Sequence, residues 1–138
     1  MLLDSNILVS GIVFHGNEHK ILRLAEDGVI RLVLSDLILF ETRRAIRVKF
    51  RGLDNLLDLF LSRLPYGLIS ENSIMERLDQ CRGILRDGKD AHILASVLLE
   101  NPDYVITGDR VLREDLNRYL GEVRAVTSSE FLEMLGVK

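Results

Sequence analysis

Apolar positions along the chain alternate between helical and strand-like spacing. Ala91, Leu94, Ala95 and Leu98 recur at helical intervals, so a helix opens at Asp90. Asn101-Pro102-Asp103 ends it, because proline cannot continue a helix and restricts the residue before it. Tyr104-Val105-Ile106 then makes a short β-rich run that stops at Thr107-Gly108-Asp109. Nearer the start, Met1-Leu2-Leu3 is a very short apolar run ending at Asp4. Ser5-Asn6 is placed to cap a short helix containing Ile7, Leu8, Gly11, Ile12 and Phe14, which His15-Gly16-Asn17 breaks. Ile21, Leu22 and Ala25 mark the next helix, with Gly28 as its C-cap. Val29 to Leu34 reads as a second strand. Ser35-Asp36 starts a helix reaching about Val48, with Leu37, Phe40, Ala45 and Val48 as apolar members and Glu41 on it.

Gly52 and Asp54 set off a helix from Leu56 to Leu64, closed by Pro65, and Tyr66 to Ile69 suggests a minor strand. Ser73-x-x-Glu76 reads as a capping box for a helix to about Leu85. A helix near Val111 to Tyr119 and a strand near Val123 to Val126 follow. A second capping box, Thr127-x-x-Glu130, opens a terminal helix with Phe131, Met134 and Leu135. No repeat or linker interrupts this order. Strands alternating with helices predict an α/β domain with a parallel sheet and right-handed crossovers.

Composition bounds this picture. The 138 residues suit one domain, 1–138, and an apolar fraction of 47% supplies a core. No apolar run approaches the ~18 residues that suggest a membrane span. No basic n-region or cleavage site marks a signal peptide. The single cysteine, Cys81, excludes an internal disulfide and fits a cytoplasmic setting; its helical context reads as packing. A net charge of −3 provides no global pull toward nucleic acid, so binding of that kind would need a local basic patch or metal ions.

The acids change the picture most. Asp4 and Asp109 directly follow strands, and Asp90 begins a helix; in an open parallel sheet these positions share one rim. Glu41, about two turns into its helix, reaches that rim if the helix leans over it. Singly, each Asp could merely cap a helix. Together they would repel unless a cation reversed the local field. Carboxylate oxygens suit Mg²⁺ or Mn²⁺ better than zinc, and such ions serve phosphodiester chemistry.

Four segments carry a family resemblance: Leu-Asp-Ser-Asn-Ile-Leu-Val-Ser, Leu-Ser-Asp-Leu-Ile-Leu-Phe-Glu, Lys-Asp-Ala-His-Ile-Leu-Ala-Ser and Val-Ile-Thr-Gly-Asp-Arg-Val-Leu. In order and spacing they resemble the blocks of the PIN domain over nearly the whole chain. The resemblance implies a three-layer α/β/α domain with four to five parallel strands. It also implies Mg²⁺- or Mn²⁺-dependent endoribonuclease activity and, for small prokaryotic members, the toxin role of VapBC modules with a cognate antitoxin. Asp4, Glu41, Asp90 and Asp109 match the acidic quartet, with Ser5, Asn6 and Thr107 as supporting polar residues. Asp87 is a rival to Asp90.

The run Arg43-Arg44-Ala45-Ile46-Arg47-Val48-Lys49-Phe50-Arg51 offers RNA contacts or simply a solvated face, and Lys89 and Arg110 flank two of the acids. His92 reads as a packing or partly exposed histidine. Leu56, Leu57, Leu59, Phe60 and Leu61 exceed one helix face, as expected of a partner surface or a well-buried helix. A symmetric dimer is the default assembly. Two rival functions are a catalytically idle RNA-binding or oligomerisation scaffold and a receiver- or phosphatase-like domain using Asp4.

Overall fold

The computed structural model describes residues 1–137. In chain order the elements are β1 (Leu2–Leu3), α1 (Ser5–Val13), α2 (Asn17–Glu26), β2 (Leu32–Ser35), α3 (Asp36–Lys49), α4 (Asp54–Arg63), β3 (Tyr66–Ile69) and α5 (Glu71–Cys81). A 3₁₀ turn (Gly88–Asp90) then leads into α6 (Ala91–Glu100), followed by β4 (Tyr104–Ile106), α7 (Arg110–Tyr119), β5 (Arg124–Val126) and α8 (Ser128–Met134). The strands form one sheet in the order β3-β2-β1-β4-β5, and every neighbouring pair is parallel. Right-handed crossovers place α1 to α4 on one face and α5 to α7 on the other. Contacts among α1, α2, α3 and α4, and between α5 and α6, agree with that layering, while α8 returns to pack on α2.

Short strands suffice because they are sealed on both faces. Leu2, Leu3, Leu32, Leu34, Val105 and Ile106 have no exposed surface, and one apolar core runs from Leu2 to Leu132. Gly28, at φ +78°, ends α2 as expected, and the Val29 amide returns to the Leu24 carbonyl at 2.9 Å. Gly11 has a different reason to be small. A Cβ there would lie 2.7 Å from Leu22 Cδ1 and 3.0 Å from the Glu18 carbonyl oxygen. Leu22 could turn aside, but the carbonyl is fixed in α2. Gly11→Ala is therefore expected to destabilise the protein by about 1–3 kcal/mol, read as a lower melting temperature by circular dichroism.

Several expectations are corrected. Val29 is 63% exposed, and β2 begins only at Leu32 because the turn after α2 occupies the intervening residues. The buried face of α3 is Ile38, Thr42 and Ile46; Phe40 and Val48 face solvent. Ser70, rather than Ser73, caps α5, its hydroxyl accepting from the Ser73 amide at 3.2 Å, and the helix ends at Cys81 instead of Leu85. Asp4 caps α1 in place of Ser5-Asn6, and Phe14 lies just past that helix, exposed. In α8 the core residues are Phe131 and Leu132, with Met134 and Leu135 outside. The Thr127–Glu130 capping box is present with both reciprocal bonds. Cys81 is buried as packing. Only Leu57 of α4 is fully buried, and Leu59 is 46% exposed. Among the described residues no helix is long and apolar enough to cross a membrane.

Candidate active site

The strand order reverses direction between β1 and β4: the chain moves outward one way from β1 through β2 to β3, and the other way from β4 to β5. That point is where open α/β sheets form a ligand crevice beyond their carboxyl ends. Leu3 pairs with Ile106, so the residues after these strands emerge side by side. The Asp4 amide bonds the Ile106 carbonyl at 3.0 Å, extending the ladder one step to the carboxylate itself.

Thr107 ties the two strand ends together. Its hydroxyl donates to Asp4 Oδ2 at 2.8 Å and accepts from the Asp109 amide at 3.1 Å, entirely out of solvent. The other Asp4 oxygen accepts from the Ser5 amide at 2.7 Å. Asp4 is thus a helix cap and a rim acid at once, only 9% exposed. Asp109 caps α7 by accepting from the Leu112 amide at 3.2 Å and remains solvent-exposed.

Asp90 stands at the start of α6, which runs back toward the amino end of β4 and so begins at the carboxyl rim. It occupies the cap position without making a capping bond. Asp87 bonds the Lys89 amide at 3.0 Å and starts the 3₁₀ turn. The rival acids therefore differ: Asp87 is engaged by its own loop, and Asp90 keeps its oxygens uncommitted. Glu41 is 45% exposed, and its Oε1 lies 3.3 Å from His92 Nε2 on α6.

Electrostatics records the gathering. Burial, then the charges of Asp4, Asp87 and Asp109, push the Asp90 carboxyl up to about 6, with His92 opposing. Burial also lifts Asp4 above the ordinary carboxylate range; bonds from Thr107 and Ser5 oppose the rise, and Glu41 adds to it. Asp4 thus feels Glu41, and Asp90 feels both Asp4 and Asp109. Mutually repelling oxygen donors without a thiolate suit a hard divalent cation. Among the described residues, no three His, Cys, Asp or Glu side chains stand close enough together to hold a metal ion as they are placed. A cation that retains several waters needs only a few carboxylates, and the oxygen-only chemistry of these donors suits Mg²⁺ or Mn²⁺.

The other expected residues divide. Ser5 contributes its backbone amide to Asp4, and Asn6 is exposed with no side-chain bond among the described residues. Arg43 is paired with Asp58 at 2.7 Å, Arg47 lies 3.9 Å from Asp54, and Arg110 pairs with Glu114 at 3.1 Å. Arg44 and Lys89 are exposed and lack an ion-pair partner among the described residues. Two neighbours of the site are not expected from sequence: Arg113 is not named there, and His92 reads only as a packing or partly exposed histidine. Arg113 donates to the Thr107 carbonyl at 3.0 Å, bracing the loop between β4 and α7 from behind. His92 meets Glu41, and its position two residues after Asp90 was the available clue. A cavity of about 640 Å³ opens elsewhere, around Met1, Arg31, Asn101 and Phe131; none of the four acids lines it.

A doubly wound parallel sheet with carboxylates gathered at its reversal point defines the class. Residues 1–111 match the family model described as the PIN domain, and the chain belongs to that family. All four acids fall within the matched segment. No curated protein matches the chain in sequence. Among solved structures it is similar to VapBC2 from Rickettsia felis bound to a promoter DNA fragment, with 20% identity, 91% of this chain and 96% of that one covered, and a TM-score of 0.64. It is also similar to a toxin–antitoxin complex from Klebsiella pneumoniae (20% identity, 92% and 96% covered, TM-score 0.63). A third similar structure is FitAB bound to an IR36 DNA fragment (19% identity, 92% and 94% covered, TM-score 0.61). At these identities the similarity establishes the fold.

Proposed function

We propose that this protein is a Mg²⁺- or Mn²⁺-dependent endoribonuclease and the toxin of a toxin–antitoxin pair. The observation that carries the reading is the charge coupling that links Asp4, Glu41, Asp90 and Asp109 across four separate segments. PIN domains are generally nucleases, which supports the same chemistry. One of the similar structures is described as a toxin–antitoxin complex, which supports a cognate antitoxin for this chain. The proposal includes a cytoplasmic homodimer.

A bound cation would supply charge neutralisation and a water activated for in-line attack on phosphorus. Asp4, Asp90, Asp109 and Glu41 would hold it. Thr107 keeps Asp4 and the start of α7 in fixed register, so two of the acids move as one unit. Asp90 offers oxygens that no backbone amide claims. The 3′-oxygen leaves, giving a 5′-phosphate and a 3′-hydroxyl.

The test is cleavage of a fluorescent single-stranded RNA in Mn²⁺, with and without chelator. Cleavage that the chelator abolishes is expected. No cleavage under any divalent ion overturns the nuclease reading and favours the idle scaffold. Arg44 and Lys89 are the free cations nearest the acids in sequence. Replacing either by Ala is expected to weaken RNA binding for all sequences and to reduce the slope of log affinity against log salt by about 0.7–1, read by fluorescence anisotropy.

A further inference from the structure

Glu41 is the least anchored of the four acids. It lies five residues past the start of α3, is half-exposed, and accepts no hydrogen bond from another element among the described residues. The group that approaches it is His92, whose ring is only 11% exposed. α6 is a firm base for that ring. Ala91 and Ile93 on either side are buried, and the Ser96 hydroxyl bonds the His92 carbonyl at 2.8 Å. His92 Nδ1 is buried without a hydrogen-bond partner.

These facts select a tautomer. A proton on Nδ1 would bury an unpaired donor and turn the Nε2 lone pair toward a carboxylate oxygen. A proton on Nε2 leaves only a bare lone pair inside, and puts the donor on the nitrogen that lies 3.3 Å from Glu41 Oε1. We propose that His92 is a positioning residue, whose Nε2 holds Glu41 toward Asp4 across the gap between α3 and α6. Residues that orient ligands in this way commonly change metal affinity by about 10–100-fold when removed. The inference rests on the reading of Glu41 as part of the cation site.

The experiment is Mn²⁺ binding to the full chain, followed by electron paramagnetic resonance, with melting temperature measured in parallel. His92→Leu fills the space without a donor and is expected to weaken Mn²⁺ binding about tenfold. His92→Gln carries an amide donor near the Nε2 position and is expected to restore affinity to within about threefold. In a Glu41→Gln background, His92→Leu is expected to cause no further loss. A purely structural role would lower the melting temperature and leave Mn²⁺ affinity unchanged, or make the Leu and Gln variants equally weak; either result overturns the proposal. Additive losses in the double variant also overturn it. Should His92→Leu fail to fold, His92→Asn replaces it. Asn carries its amide near the Nδ1 position, so it is expected to bind Mn²⁺ more weakly than His92→Gln, and equality refutes the role. Wild-type protein that binds no Mn²⁺ overturns the cation site and this role together, whereas normal wild-type binding with unaffected variants overturns the role of His92 alone.

Discussion

An Asp90→Asn variant is expected to cleave RNA at least about 100-fold more slowly than wild type in Mn²⁺, a loss of about 2.7 kcal/mol of transition-state stabilisation. The same variant is expected to melt at a higher temperature than wild type when both are metal-free at pH 7. Both outcomes follow from one charge. Asp90 makes no capping bond, so an amide of the same size removes nothing from the start of α6. It does remove a partly buried carboxylate repelled by Asp4, Asp87 and Asp109. A residue serving the fold loses stability on substitution, whereas a residue held against its own electrostatic preference gains it. Asp4→Asn is expected to lose activity to the same degree with a smaller gain in stability. Its carboxylate accepts from both Ser5 and Thr107, and an amide oxygen replaces only one of the two acceptor oxygens. Cleavage by Asp90→Asn within a few-fold of wild type would refute its assignment. A lower melting temperature would show that its charge is already compensated in the fold.

The acids were legible because their placement follows from chain order. A residue directly after a buried strand, or directly before the helix leading into the next one, reaches the carboxyl rim whatever the side-chain details. Strand pairing was less legible. Met1-Leu2-Leu3 is a very short run whose place in the sheet nothing local fixes, and β1 is the middle strand, flanked by β2 and β4. The face of α3 is not set by residue type. Phe40 and Val48 are apolar members of the helix yet exposed, whereas Ile38, Thr42 and Ile46 are the members that face inward. The Thr42 hydroxyl is satisfied within its own helix by the Ile38 carbonyl at 2.7 Å, so a polar letter in the sequence concealed a core position. Ser73-x-x-Glu76 met the spacing rule for a capping box, but Ser70 lies one turn earlier, where the chain leaves β3. The contact between His92 and Glu41 joins α3 and α6, distant in sequence, and no local pattern announces a pairing of that kind.

Without metal, the protein is expected to become less stable as pH rises from about 4 to about 6.5, opposite to the usual trend for a protein rich in paired carboxylates. Asp90 carries the effect. Its carboxyl titrates near 6 in the folded protein and near 3.8 when released. The folded state therefore holds this proton more tightly, and the resulting stabilisation is fully present below about 4 and lost as pH passes through 6. For an enclosed carboxyl that interval would correspond to about 3 kcal/mol; Asp90 is partly open to solvent, and screening leaves about 1 kcal/mol. Asp4 is shifted in the same direction and reinforces the slope. Carboxylates stabilised by partners act the other way. The Arg86 bonds to Asp115, the Arg43 pair with Asp58 and the Thr127 bonds to Glu130 hold those groups below their ordinary range, and their contribution fades as pH falls through their folded values. Melting temperature plotted against pH is thus expected to peak near 4 rather than at neutrality. Mn²⁺ at pH 7 should raise it by mass action, and should raise it less at pH 5, where protons compete for the same oxygens. In Asp90→Asn the decline between pH 5 and 7 should flatten and the Mn²⁺ effect shrink together. A wild-type curve that rises steadily to pH 7 and ignores Mn²⁺ would mean that these carboxylates do not repel one another in solution, and the cation site would lose its physical basis.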